Sequence, residues 1–290
     1  MQGLGVEVYV IAPQNWEEQG KRQVNDKHDA QVMSRRLSEY LCGHRKALSV
    51  VRIPSREEEA RRAGGRMREQ LRRELRRMQA MGRSLLLQRE VAISGRWWQG
   101  STWVRIGKAM PPWMVALLES WKKVMELIEE QAQEIEAQLR AAAPVPELLF
   151  GEGELTHELL ARELIDPQRF KNARQVGNYF GLCPSESTSD QCRRLGSITK
   201  HGNPRLRRLM VELAWRMSRF QPRYRAVRQW GGLLEDPKAP AALRKKAIVA
   251  LARRLAVDLW RMATGRVQAE ELGLVRKVSL SSLERELLCR

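Results

Sequence analysis

The sequence predicts a short α/β segment at the N-terminus, then a long coiled-coil arm, then a mainly α-helical C-terminal domain. Three observations carry this prediction. A β-branched run, Gly5-Val6-Glu7-Val8-Tyr9-Val10-Ile11-Ala12-Pro13, opens the chain and is followed only by helical patterning. Residues 55–146 are rich in Arg, Glu, Gln, Leu and Met, with apolar positions at three- and four-residue steps. Beyond Pro144-Val145-Pro146 come amphipathic segments punctuated by Pro, Gly and Asn. The expected domains are therefore residues 1–54, 55–146 and 147–290. With 290 residues and 43% hydrophobic content, the chain has enough apolar surface for a real core.

The opening run is short and stopped by proline, the pattern of a buried strand in an α/β sheet. One strand makes no sheet, so the expectation is that the remaining strands belong to an N-terminal part that this chain lacks. From Val24 the pattern turns helical, and Leu37, Tyr40 and Leu41 extend the apolar face. Asp26 and Asp29, three residues apart, project from one side of the first turns. Two carboxylates that close can share a divalent cation, Mg²⁺ or Mn²⁺. Acidic residues in a first helical turn also serve simply to complement the helix dipole.

The arm begins at Ser55. Leu71, Leu75, Met78, Met81 and Leu85 make an apolar stripe, with Gly64-Gly65 as an expected interruption, while Arg68, Arg72, Arg73, Arg76 and Arg77 line the outer face. Such a face is either simply solvated or a contact for phosphate backbones. Gly95 to Val104 breaks the helix and holds three of the nine tryptophans. Their expected use is core packing, with base stacking as the alternative. Pro111-Pro112 opens a second long helix, from Trp113 to about Ala142, whose apolar spacing suits helix pairing. Pro144-Val145-Pro146 ends it.

In the last segment a helix is expected from about Thr156 to Leu164, and Gly151-Glu152-Gly153 before it is a weak phosphate signal. The stretch from Gly181 to Gln191 reads as a turn-rich loop carrying several hydroxyls, followed by Arg193, Arg194 and Lys200. Hydroxyls so placed are turn and cap residues or a nucleophile. Asn203-Pro204 then starts a helix with Leu206, Leu209, Met210, Leu213, Ala214 and Met217 on one face. Its N-terminus, with Lys200, Arg205 and Arg208, is a candidate phosphate site. A second basic helix follows Pro240, from Ala241 to Met262, before a short charged tail.

Lys and Arg number 52 against 34 Asp and Glu, a net charge of +18 that favours polyanions and makes binding strongly salt dependent. Nucleic acid is the expected partner. The sequence has no uncharged apolar run of about 18 residues and no signal-peptide pattern, so a soluble, intracellular protein is expected, with no membrane partner. Four scattered cysteines and four dispersed histidines argue against a zinc site or a disulfide framework.

The stretch from Arg169 to Tyr224, with Gly-Leu-Cys-Pro-Ser-Glu, Gly-Ser-Ile-Thr-Lys-His-Gly-Asn-Pro-Arg-Leu-Arg and Glu-Leu-Ala-Trp-Arg, resembles the C-terminal domain of insertion-sequence transposases of the 110 and 1111 groups. Val24 to Ala30 also resembles that family's Lys-x-Asp-x-x-Asp-Ala block, with Val24 in place of lysine. The resemblance implies a RuvC-like RNase H fold with an Asp-Glu-Asp-Asp metal site, a coiled-coil arm, and a C-terminal domain that supplies a serine nucleophile. It also implies a structured guide RNA that pairs with donor and target DNA, and a synaptic homo-oligomer, dimer or tetramer. Asp26 and Asp29 match the third and fourth acidic ligands; the first Asp and the Glu lie upstream of Met1 in relatives. Ser189 matches the nucleophile, but Thr188-Ser189-Asp190-Gln191 stands where relatives read Ser-Ser-Gly-Gly, and Asp190 replaces a glycine. These departures imply a truncated or decayed copy, impaired on its own. Two other classes stay open: a catalytically silent RNA- or DNA-binding protein, and a structural coiled-coil partner.

Overall fold

The computed structural model describes residues 5–11, 26–91, 93, 95–142, 148–189 and 192–277, with backbone only for 187–189 and 192–195. The expected helix start at Val24 and Asn25, the Pro144–Pro146 boundary and the charged tail lie outside the described residues. The chain divides into two compact units, Met1–Glu59 and Ala60–Arg290.

In the first unit the acidic start at Asp26 opens helix α1 (Asp26–Leu41), which buries Val32. The valine run does not form the expected buried strand. Residues 6–10 carry no regular secondary structure, and among the described residues the run pairs only through an antiparallel bridge between Ile11 and Val50, with the Val51 amide donating to the Val10 carbonyl at 2.7 Å. Val6, Val8 and Val10 are 54%, 38% and 44% exposed. A β-branched run is buried only when neighbouring strands and helices cover its two faces, and the described residues supply only that bridge and the Tyr40 ring of α1 against Tyr9. A RuvC-like sheet is accordingly not seen among them. The unit ends in a reciprocal cap: the Glu58 amide donates to Ser55 Oγ at 3.2 Å and the Ser55 amide to Glu58 Oε2 at 2.9 Å.

Three helices form the arm of the second unit: α2 (Arg56–Leu87), α3 (Gly100–Ala109) and α4 (Pro112–Ala141). Gly64-Gly65 does not interrupt α2. A Cβ on Gly65 would stand 2.8 Å from Leu159, and one on Gly64 3.7 Å from Leu139. Close packing at these two positions is compatible with helix where propensity alone disfavours it. α2 and α4 run antiparallel, since Gly64 faces Leu139, Arg68 reaches Glu136, and Arg72 reaches Glu136 and Glu129. Trp97 and Trp98 are buried in the arm's core with Leu75, Leu86, Met114, Leu118 and Met125. Gly82 leaves the space that the Trp97 indole fills, and Trp97 Nε1 donates to the Gln79 carbonyl at 3.0 Å. These two tryptophans are core, not a stacking platform.

The remaining elements are α5 (Glu154–Leu164), α6 (Ala173–Phe180), strands β1 (Pro184–Ser189) and β2 (Cys192–Ile198), α7 (Pro204–Phe220), α8 (Arg225–Glu235) and α9 (Ala241–Ala263). α5 starts two residues before the expected Thr156, capped by Gly153. The Glu152 carboxylate already takes the Leu149 amide and His157 Nδ1, at 3.2 and 3.0 Å, beside the Gly-x-Gly turn. α7 and α9 are the centre of this core, with Leu206, Met210, Leu213 and Met217 against Leu251, Leu255 and Trp260. Buried Asp258 on α9 is neutralised by Arg254 and Arg261 at 2.9 and 3.3 Å and accepts a hydrogen bond from Tyr224 at 2.9 Å.

Candidate nucleic-acid interface

The expected hydroxyl-rich loop is a β-hairpin. β1 and β2 pair antiparallel, with Pro184 opposite Ile198, Glu186 opposite Leu195, Ser187 opposite Arg194, Thr188 opposite Arg193 and Ser189 opposite Cys192. The register shifts between Pro184 and Glu186. There Ser185 Oγ donates to the Ser197 carbonyl at 3.0 Å, and Gly196 leaves room for that hydroxyl. Ser189 is thus the last residue of β1; Asp190 and Gln191 lie outside the described residues, as do the side chains of Ser189, Arg193 and Arg194.

The root of the hairpin is clamped between two helix ends. α6 stops at Gly181, which takes the left-handed conformation with φ of 64°. The Leu182 amide donates back to the Gly177 carbonyl at 3.0 Å, the Thr199 amide to the Cys183 carbonyl at 2.8 Å, and the Asn203 amide to the Tyr179 carbonyl at 2.7 Å. Gly202 lies directly on the Gly181 backbone, so no side chain fits at either position. Arg207 Nη1 donates to the Lys200 carbonyl at 3.1 Å, and Lys200 itself holds a φ of 59°. Asn203 then caps α7 by accepting from the Arg205 and Leu206 amides at 2.9 and 3.3 Å.

The N-terminus of α7 is engaged within the protein. Arg205 Nε and Arg208 Nη1 each lie 2.7 Å from a carboxylate oxygen of Glu69 on α2. Burial alone would raise the Glu69 carboxyl, but the hydrogen bonds and charges of Arg208 and Arg205 outweigh it and hold the group below its ordinary value. Of the other sequence-predicted contacts, Arg72 pairs with Glu136 at 3.0 Å, and Arg76 and Lys200 are exposed. Glu136 is held low in the same way: burial raises it and Arg68 and Arg72 lower it by more.

A cavity of about 1300 Å³ opens beside the hairpin root, walled by α6, the two strands, α8 and α9. Leu182, Val249 and Val257 give it apolar walls, and Arg174, Lys245, Lys246 and Arg253 line it with Trp230. Arg254 also lines it but is committed to Asp258. Among the described residues the other four cations form no ion pair, and Glu186 is the one acidic residue in the lining. Sequence reasoning recognised α9 as basic but did not name these side chains. The signal was Arg244-Lys245-Lys246 followed about two turns later by Arg253 and Arg254, with alanine, isoleucine, valine and leucine between.

Asp26 and Asp29 stand in the first turn of α1, exposed and half-buried respectively. Among the described residues no third His, Cys, Asp or Glu joins them. Two carboxylates supply only a minority of the oxygen donors that a divalent-cation shell takes. Among the same residues no helix is long and apolar enough to cross a membrane.

Residues 149–229, which contain the hairpin, its clamp and α7, match the family described as Transposase IS116/IS110/IS902. Transposase y4rJ of Sinorhizobium fredii is 29% identical over 93% of this chain and 74% of its own length. A family 20 transposase of Pseudomonas aeruginosa is 28% identical over 89% of the chain and 77% of its length. The IS1328 transposase of Yersinia enterocolitica is 32% identical over 36% of the chain and 33% of its length. Residues 149–229 thus carry a domain of the IS110/IS116 transposase type, and most of the chain is similar to transposases.

Proposed function

We propose that the protein is a DNA recombinase of an insertion sequence in which Ser189 is the nucleophile. The observation that carries this reading is the position of Ser189 at the end of β1, on a hairpin whose root is clamped to two helices and lines a basic cavity. A serine hydroxyl is a weak nucleophile, so attack on a phosphodiester needs removal of its proton, in-line placement and neutralisation of charge on the non-bridging oxygens. Oγ bonds to phosphorus, one bridging oxygen leaves and takes up a proton, and the strand is held as a phosphoserine ester. Reversal of the same step by another DNA hydroxyl rejoins the strand, with no external energy source.

Asp26 and Asp29 are proposed to contribute to an Mg²⁺ or Mn²⁺ site, where the ion would supply charge neutralisation. Lys200, Arg205, Arg208, Arg193, Arg194, Arg72 and Arg76 remain proposed nucleic-acid contacts, with Arg205, Arg208 and Arg72 requiring exchange of an acidic partner for phosphate. The net charge of +18 supports donor and target DNA and a structured guide RNA as partners, in the cytoplasm and at the nucleoid. A homo-oligomer, dimer or tetramer, is supported by Trp113, Leu117, Val124 and Leu127, exposed at heptad spacing on α4.

The test is covalent capture: the protein, labelled donor and target DNA, guide RNA and Mg²⁺ are mixed and resolved under denaturing conditions. A protein-linked DNA band that Ser189→Ala abolishes is expected. A second reading, nucleic-acid binding without cleavage, is favoured by Asp26 and Asp29 standing without a third ligand among the described residues. Absence of the band from the unmodified protein would establish it.

A further inference from the structure

We propose that the cavity beside the hairpin root is a groove for an unpaired nucleic-acid strand, with Trp230 as its stacking surface and Arg174, Lys245, Lys246 and Arg253 as its phosphate contacts. The proposal rests on the transposase reading above and says which form of nucleic acid this part of the domain takes.

Charge complementarity supplies the first half of the case. Four cations free of ion pairs among the described residues face a cavity with one acidic side chain in its lining. Several other basic groups of this unit are held by carboxylates: Arg205 and Arg208 by Glu69, Arg68 and Arg72 by Glu136, Arg254 and Arg261 by Asp258. Lys246 and Arg253 are seven residues apart on α9, so they share a face, and Val249 and Ala250 lie between them on the same cavity wall. Arg174 stands across the cavity in the first turn of α6. Cations on two facing walls can follow a strand on both sides.

The apolar lining decides between strand and duplex. A duplex presents phosphates and groove edges, and it would leave the apolar lining of Leu182, Val249, Val257 and the half-buried Trp230 unmatched. An unpaired strand presents both chemistries at once, phosphates toward the cations and base faces toward the indole and the apolar wall. Trp230 is packed against the domain core and is therefore held in place as a stacking surface without further ordering cost.

The test uses the full chain and fluorescein-labelled (dT)12, U12 and a 12-base-pair duplex in fluorescence anisotropy at several salt concentrations. One or both single strands are expected to bind more tightly than the duplex, the tighter of the two identifying DNA or RNA. Trp230→Ala is expected to weaken single-strand binding roughly ten-fold while changing duplex binding less than two-fold, and Trp230→Phe to retain most of it. Because Trp230 touches the core, Lys245→Gln with Lys246→Gln serves as a variant that leaves packing alone. It is expected to weaken single-strand binding and lower its salt slope by about 1.4. Equal binding of strand and duplex with equal loss on Trp230→Ala, or no effect of the lysine pair, would overturn the proposal. Ser189→Ala is expected to leave single-strand binding unchanged, so failure of the groove and failure of the serine chemistry are read separately.

Discussion

Buried Glu163 on α5 accepts a hydrogen bond from Asn203 Nδ2 at 3.1 Å while pairing with Arg66 of α2 at 3.2 Å. Asn203 caps α7 and its amide closes the hairpin clamp on Tyr179, so one carboxylate joins the arm to the segment that holds β1 and β2. Glu163→Ala removes the acceptor from half-buried Asn203 and from exposed Arg66 and is expected to cost about 1–3 kcal/mol. Asn203→Asp keeps the cap but sets two carboxylates together, and it is expected to destabilise more than Asn203→Ser. Thermal unfolding of the three variants checks both statements.

Glu69 and Glu136 give the protein an acid-sensitive joint. Each is held below its ordinary value by arginines, so the stability it contributes is fully present above the unfolded value of 4.5 and is lost as pH falls through the lower folded value. Glu69→Gln with Glu136→Gln is expected to have a lower melting temperature at pH 7 and a flatter decline from pH 5 to pH 3. A decline as steep as that of the unmodified protein would contradict the assignment.

Two glycines on the arm are expected to respond to alanine with opposite signs. At Gly82 the new methyl would meet Trp97, fixed by its bond to Gln79, and a loss of about 1–3 kcal/mol is expected despite the better helix former. At Gly107 on α3 a Cβ has nothing within 4 Å, and a gain of up to about 1 kcal/mol is expected. Denaturant unfolding of the pair decides it.

The exposed seam on α4 predicts self-association. Leu117→Glu with Leu127→Glu is expected to shift the protein to monomer in light scattering without loss of helical signal, because both side chains already face solvent, 43% and 57% exposed. A monomeric unmodified protein would remove this support for the oligomer.

What the sequence disclosed follows the range of the interactions involved. Asn203-Pro204 and Pro111-Pro112 act within one helical turn, and the helices they announce, α7 and α4, start where expected. Gly64-Gly65 misled because its close approaches involve Leu139 and Leu159, far along the chain. The hairpin was hidden by its composition: Pro-Ser-Glu-Ser-Thr-Ser is polar, and an edge ladder held by register and a clamped root needs no apolar alternation. The valine run misled in the other direction, since burial depends on partners that a local pattern does not contain. The pairing of Arg205 and Arg208 with Glu69 spans more than 130 residues and had no local signature. The basic character of α9 was legible; that it faces α6 and the hairpin root was not.

The most direct measurement of the central claim is peptide mapping of the covalent adduct after nuclease and protease digestion. The nucleotide remnant is expected on Ser189, the residue that ends β1. Its loss in Ser189→Ala with retained RNA binding, and its persistence in Ser187→Ala, complete the expected result. A remnant on Ser187, or one that survives Ser189→Ala, would contradict the assignment of the nucleophile.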